Sequence, residues 1–189
     1  MKLRTFLIGV TFALVPAAAN AVVLPWSASL DTAQAIATTG GDPSASGTGS
    51  ASGTYDTIAN ILTWNVSVSG LSAPATLAHF HGPSPGPGTN AGVRVELPSL
   101  SLGTLAGNTS GDFSGSMDLD LLTMPPLPAG GVAQLESELL GGHWYLNVHT
   151  SAFPAGEIRG QISVPEPGSL ALCVLALTSL LAARGRRRM

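Results

Sequence analysis

Leu62-Thr63-Trp64-Asn65-Val66-Ser67-Val68-Ser69 alternates apolar and polar side chains without a break. Successive side chains of an extended chain point to opposite sides, so this period of two marks a strand with one buried face. It sends Trp64, Val66 and Val68 inward. Shorter runs of the same kind occur at residues 26–30, 50–57, 76–81, 93–97, 112–119, 144–150 and 157–164, separated by clusters of Gly, Pro, Ser and Asn. About eight short strands punctuated in this way predict an all-β chain, a Greek-key β-sandwich or barrel. One helix is expected over residues 132–140, where Val132, Leu135 and Leu139 fall on one face and Gly141-Gly142 ends the run. Residues 38–53 are rich in Gly, Ser, Thr and Ala and read as a loose loop or edge hairpin.

The two ends of the 189-residue chain differ from this middle. Lys2 and Arg4 precede an apolar stretch at 6–15, and Ala19-Asn20-Ala21 is a small-residue cleavage site. Residues 1–21 therefore predict a signal peptide, handled by Sec export machinery and removed by signal peptidase after Ala21. At the other end, Val164-Pro165-Glu166-Pro167 precedes a charge-free apolar run at 168–183, followed by Arg184, Arg186, Arg187 and Arg188. The prolines stop the preceding strand. The run predicts a hydrophobic helix that spans a membrane with help from its flanks, its arginines on the cytoplasmic side. Pro165-Glu166-Pro167, one span and a basic cap together resemble the PEP-CTERM sorting tail of exported Gram-negative bacterial proteins. That resemblance implies a transient inner-membrane anchor, cleavage by an exosortase, and release to the cell surface or an exopolysaccharide matrix. A plain membrane anchor at 164–189 is the alternative.

Residues 22–163 remain as one domain, long enough to bury a core. Arg94 and Arg159 are its only basic residues against ten acids, which gives a charge near −8 where the whole chain carries −3. Such a surface repels phosphate backbones, so nucleic-acid binding is excluded as a function class. The single cysteine, Cys173, lies in the apolar tail. The domain has no disulfide, and packing must hold it together, alone or with a metal ion.

In Ala78-His79-Phe80-His81-Gly82, Phe80 faces the core and His79 and His81 share the opposite side, placed to bind one metal ion. In Tyr145-Leu146-Asn147-Val148-His149-Thr150, Leu146 and Val148 go inward while Tyr145, Asn147 and His149 go outward. In Glu157-Ile158-Arg159-Gly160-Gln161-Ile162, the isoleucines go inward and Glu157, Arg159 and Gln161 outward. If these strands are neighbours, one face collects His79, His81, Asn147, His149, Glu157 and Arg159. Two readings stand. Asn147, His149, Glu157 and Arg159 form a hydrogen-bonded network that pins the strands or contacts a ligand, or His79, His81 and His149 bind one copper or zinc ion. Ordinary imidazole protonation would weaken such binding below pH ~6. His143, after Gly141-Gly142, reads as a loop residue.

These three segments, with Ser52-Gly53-Thr54-Tyr55 and Leu62-Thr63-Trp64 before them, resemble the CHRD domain over nearly all of residues 24–163. The resemblance implies a β-sandwich and no settled activity. A more distant likeness is to copper–zinc superoxide dismutase. It implies copper ligands at His79, His81 and His149 and a substrate-guiding arginine at Arg159. The segment after His81, Pro83-Ser84-Pro85-Gly86-Pro87-Gly88-Thr89-Asn90, lacks the His and Asp that a second metal would need.

No catalytic constellation is legible. Gly82-Pro83-Ser84-Pro85-Gly86 matches G-x-S-x-G in letters only, because prolines on both sides of Ser84 forbid the strand-to-helix elbow. Gly86, Gly88 and Gly92 have the wrong spacing for a dinucleotide loop. Asp118 and Asp120 read as solvated acids. The expected function is an exported CHRD-type surface or matrix module, non-catalytic, binding a ligand or serving structure. The alternative is a mononuclear copper- or zinc-binding protein, redox-active in the manner of the dismutases.

Overall fold

The computed structural model describes residues 22–97, 101–123 and 126–165. The expected signal peptide, the apolar tail, and Glu166 and Pro167 of the sorting motif lie outside the described residues. Among the described residues no helix is long and apolar enough to cross a membrane.

Eight strands form: β1 Val23–Asp31, β2 Thr48–Asp56, β3 Ile61–Ser69, β4 Ala75–His81, β5 Val93–Leu97, β6 Gly111–Asp118, β7 Tyr145–Thr150 and β8 Ile158–Gln161. They make one sheet in the order β5-β4-β7-β8-β1-β2-β3-β6, antiparallel at every strand pair. The alternation at 62–68 is borne out, since Leu62, Trp64, Val66 and Val68 are all buried.

The sheet is curled rather than flat. β3 and β4 stand five places apart in the strand order, which a flat sheet would turn into roughly 24 Å. Yet the Trp64 ring of β3 and the Phe80 ring of β4 meet edge to face with centres 5.7 Å apart. Trp26 of β1 meets Phe80 at the same distance from another side. The halves β5-β4-β7-β8 and β1-β2-β3-β6 thus pack face to face around Phe80. They are joined only lightly, through Asp31 opposite Arg159 and a bridge from Ser27 to Ser163. The expected sandwich is therefore a single sheet folded over, open-jointed between β8 and β1.

The run expected as a strand at 50–57 is β2, which also takes in Thr48 and Gly49 of the expected loop or edge hairpin and pairs along its length with β1 and over most of it with β3. Its small side chains have a steric cause. The Trp26 indole reaches across β2 and donates to the Thr63 carbonyl of β3 at 3.1 Å, so any Cβ on Gly53 would strike both partners. Gly115 of β6 serves the same end, because a Cβ there would stand 2.6 Å from the Trp64 ring.

Among the described residues two α-helices accompany the sheet, a single turn α1 at Ile36–Thr39 and α2 at Gly131–Leu140. α2 lies where the periodicity puts it. Leu135 and Leu139 are buried, and Gly142, at φ 69°, ends it in the left-handed region that glycine favours. Arg94 of β5 ties α2 to the sheet through Glu138, with Nε and Nη2 donating to separate carboxylate oxygens at 2.8 and 3.0 Å.

Candidate metal centre

β4 and β7 are neighbours, with His79 opposite Asn147 and Leu77 opposite His149. Adjacent strands present same-side residues together, so His79 and His81 from β4 and His149 from β7 emerge on one face. Their ring centres are 4.7 Å apart for His79 and His149, 5.3 Å for His79 and His81, and 6.3 Å for His81 and His149. One ligand nitrogen from each lies within 4.8 Å of the other two. Ion–nitrogen bonds of about 2 Å set nitrogen separations of roughly 3.3–3.6 Å, so small ring rotations close the set.

This face is not open to water, although alternation along β7 predicts that it would be. Tyr145, Asn147 and His149 are 2%, 2% and 6% exposed. Two loops fold over it: residues 82–92 after β4, and residues 151–157 after β7. Each supplies a backbone carbonyl to an imidazole. His81 Nδ1 lies 3.0 Å from the Ala91 carbonyl and His149 Nδ1 lies 2.9 Å from that of Pro154. A carbonyl only accepts, so Nδ1 carries the hydrogen in both rings and each Nε2 keeps a free lone pair. Both Nε2 atoms, and Nδ1 of His79, are buried with no hydrogen-bond partner. Metal-binding imidazoles are commonly oriented by such carbonyl contacts.

Burial also holds these rings neutral. It pushes the His79 pKa down to about 4, with the His149 and His81 rings adding to the effect. His81 likewise falls to about 4, chiefly by burial and against the raising influence of Ala91. His149 is lowered by burial, opposed by its bond to Pro154. Ligands must be deprotonated to bind, so an ion held by these rings would be released nearer pH 4 than the ~6 of ordinary imidazole.

Glu157 and Arg159 are placed elsewhere in function. Glu157 stands just before β8 and does not turn to the imidazoles. Its Oε1 accepts from the backbone N–H of Ser46 and Ser72 at 3.1 and 2.7 Å, and its Oε2 from the Thr150 hydroxyl at 2.6 Å. It knits three segments and does not join the imidazoles. Arg159 is 1% exposed. Its Nη1 donates to the Thr89 carbonyl, and its Nη2 to the Ser84 hydroxyl, the Gly86 carbonyl and Gln161 Oε1. The guanidinium latches the 82–92 loop, so it does not face solvent as a guide for an anionic substrate must. Ser84 is locked in the same latch. Asn147 donates to the Ala155 carbonyl, and its amide packs where Gly156 would carry a Cβ.

Tyr145 was not singled out by the sequence. Its ring stacks on His81, centres 4.8 Å apart and planes 2° from parallel. The Arg159 guanidinium carbon lies 3.3 Å from the same ring's centre. β7 runs between β4 and β8, so Tyr145 separates imidazole from guanidinium. Its outward parity with Asn147 and His149 is the one signal that could have found it. His143 stays in the loop after α2.

The chain belongs to the CHRD domain family, whose model matches residues 26–162. The match takes in β2 to β8, most of β1 and the three histidines of the site, and the family suggests an extracellular or secreted module. No curated protein and no solved structure matches the chain.

Proposed function

We propose that this CHRD-domain chain is an exported module that binds a single copper or zinc ion through His79, His81 and His149. One observation carries the reading: three imidazole nitrogens converge within 4.8 Å, and the buried Nδ1 of His79 and Nε2 of His81 and His149 have no partner. A buried polar atom without a partner is costly, and a polar interior seldom leaves several side by side. An ion supplies the missing partner to all three at once.

Asn147, Glu157 and Arg159 support the structural network of the first reading, since their hydrogen bonds end on the loops and strands that frame the face. Both readings therefore apply, to different residues. Catalysis is a separate step. With Arg159 buried in its latch, superoxide guidance has no exposed cation near the site, and a non-catalytic binding module is the reading we hold. The N-terminal leader and PEP-CTERM-like tail support Sec export, exosortase processing and delivery to the cell surface or an exopolysaccharide matrix.

The test is metal uptake by the full chain purified in a non-ionic detergent. Calorimetry should show about one Cu(II) or Zn(II) bound per chain. Melting should rise, by linkage worth about 2.7 kcal/mol when free ion exceeds Kd a hundredfold. His81→Ala should abolish the gain while keeping a β-sheet spectrum. No heat and no melting shift with either ion at neutral pH would overturn the metal reading and leave the network alone. Uptake together with superoxide consumption would overturn the non-catalytic reading.

A further inference from the structure

We infer that the end of the sandwich where β1 begins is a membrane-facing surface, seated on a lipid bilayer through exposed aliphatic side chains. The inference rests on the apolar tail of the proposed export route spanning a membrane, and not on the metal reading.

Among the described residues seven large apolar side chains are exposed, and five of them, Val22, Val23, Ile58, Ile61 and Leu121, belong to this one end. β1 and β3 begin there, and β2 and β6 end there. The register aligns Val23, Asp56, Ile61 and Asp118 in one row across the four strands. Backbone bonds gather the rest. The Thr57 amide donates to the Val22 carbonyl, which brings the turn holding Ile58 beside the start of β1. The Leu119 amide donates to the Asn60 carbonyl, which brings the Leu119–Leu121 turn to the start of β3. Two rows farther along the same outward faces stand Ser27, Ser52, Asn65 and Ser114. Single exposed apolar residues are ordinary, but a group confined to the rim of a face otherwise covered by small polar side chains marks a contact surface.

Chain geometry names the occupant. Ser163 and Ser27 exchange both backbone bonds, at 2.8 and 3.0 Å, and the chain there runs antiparallel to β1. It therefore heads toward Val23, four residues along β1 from Ser27, and the apolar run begins at Gly168, five residues beyond Ser163. At about 3.4 Å per extended residue these paths are roughly 14 and 17 Å, so the run reaches the level of the rim with only about 3 Å to spare. When the run enters the hydrocarbon core, this end of the domain stands in the headgroup layer. Aliphatic side chains there are buried at the boundary of headgroups and acyl chains. Asp56, Asp118 and Asp120 lie among them and repel anionic headgroups, so the surface suits zwitterionic lipid. Seating on the rim holds the histidine site clear of the membrane. His79 shares its row with Asn147, Arg159 and Asp31, and Asp31 ends β1 at the far side from Val23.

The experiment places the full chain in phosphatidylcholine vesicles, with Cys173→Ser so that each variant carries one cysteine for a nitroxide label. Leu121→Cys reports the rim, where the side chain is 71% exposed and tolerates replacement. Thr48→Cys reports the opposite end, where Thr48 pairs with Asp31. Relaxation measurements should show the Leu121 label reached by oxygen, which concentrates in lipid, and shielded from a water-soluble nickel chelate. The Thr48 label should show the reverse. A flexible insert of about ten Gly and Ser residues after Pro167, which adds roughly 17 Å of reach, should leave the contrast intact. Both labels equally open to the nickel chelate, in chain that floats with the vesicles, would overturn the inference and leave the tail standing. Contrast lost on lengthening would show that the tether alone holds the domain there, and would overturn it as well. Spin–spin broadening between Leu121 labels without oxygen access would put a second copy on the rim in place of lipid, with the same result. Chain that does not float with the vesicles would overturn the membrane-spanning tail, and this inference with it.

Discussion

A carboxylate with no cation beside it is stable in a protein interior only when hydrogen-bond donors surround it. Glu157, fully buried, has three, from Ser46, Ser72 and Thr150. Glu157→Ala strands all three donors and should cost about 3 kcal/mol, read as a lowered urea midpoint, since each orphaned buried donor costs about 1–3 kcal/mol. A cost below about 0.5 kcal/mol would show that water replaces the carboxylate. The histidines carry the opposite problem, since His81 and His149 are buried, and His79 half-buried, as neutral rings. His79 and His81 titrate near 4 in the folded protein, against 6.5 for an unburied imidazole. The unfolded chain thus takes up protons first as pH falls. Stability from these rings is complete above pH 6.5 and drains away between 6.5 and 4. The metal-free protein should show a falling denaturation midpoint across that window, and His79→Gln should flatten the fall. A midpoint constant from pH 6.5 to 4 would contradict neutral burial of the rings.

β3 and β7 show how the same alternation can mean two things at the scale of the element. β3 buries one face and leaves the other partly wet: Trp64, Val66 and Val68 are covered, while Asn65, Ser67 and Ser69 are exposed. Trp64 sits where the two halves of the sheet meet, edge to face with Phe80. Trp64→Ala should therefore destabilise by about 3–5 kcal/mol, as large-to-small changes in packed cores do. An unchanged denaturation midpoint would remove Trp64 from the core. β7 is buried at every position. Its polar residues lie under loops, and Asn147 and His149 each bond a loop carbonyl rather than solvent. Parity along the strand sorted its side chains to the correct faces, but parity carries no information about what covers a face.

Over the whole molecule, charge and ends set the setting in which the site works. A domain near −8, with one arginine paired to Glu138 and the other buried, offers no exposed basic patch among the described residues. The leader and PEP-CTERM-like tail expected from the sequence would flank this domain, and export is the proposal they support. Mass spectrometry of surface or secreted material should find a new N-terminus at Val22 and no Arg184–Met189 peptide. Recovery of intact 189-residue chain from the cytoplasm would overturn that proposal.

Strand positions, the helix at 131–140, the inward residues and the pairing of His79 with His81 on one face were legible in the residues themselves, because each depends on local periodicity. The small residues of β2 misled, since their cause is a tryptophan from one neighbouring strand crossing to the next. The arrival of His149 beside His79 required strand order, which no local pattern contains. Curling of one sheet into two layers, the loops that bury the histidine face, and the carbonyls of Ala91 and Pro154 that free each Nε2 were decided only in three dimensions. So was the parting of Glu157 and Arg159 from the imidazoles. A backbone carbonyl is the same in every residue, and a side chain's partner is chosen by distance, so neither can be read along the chain.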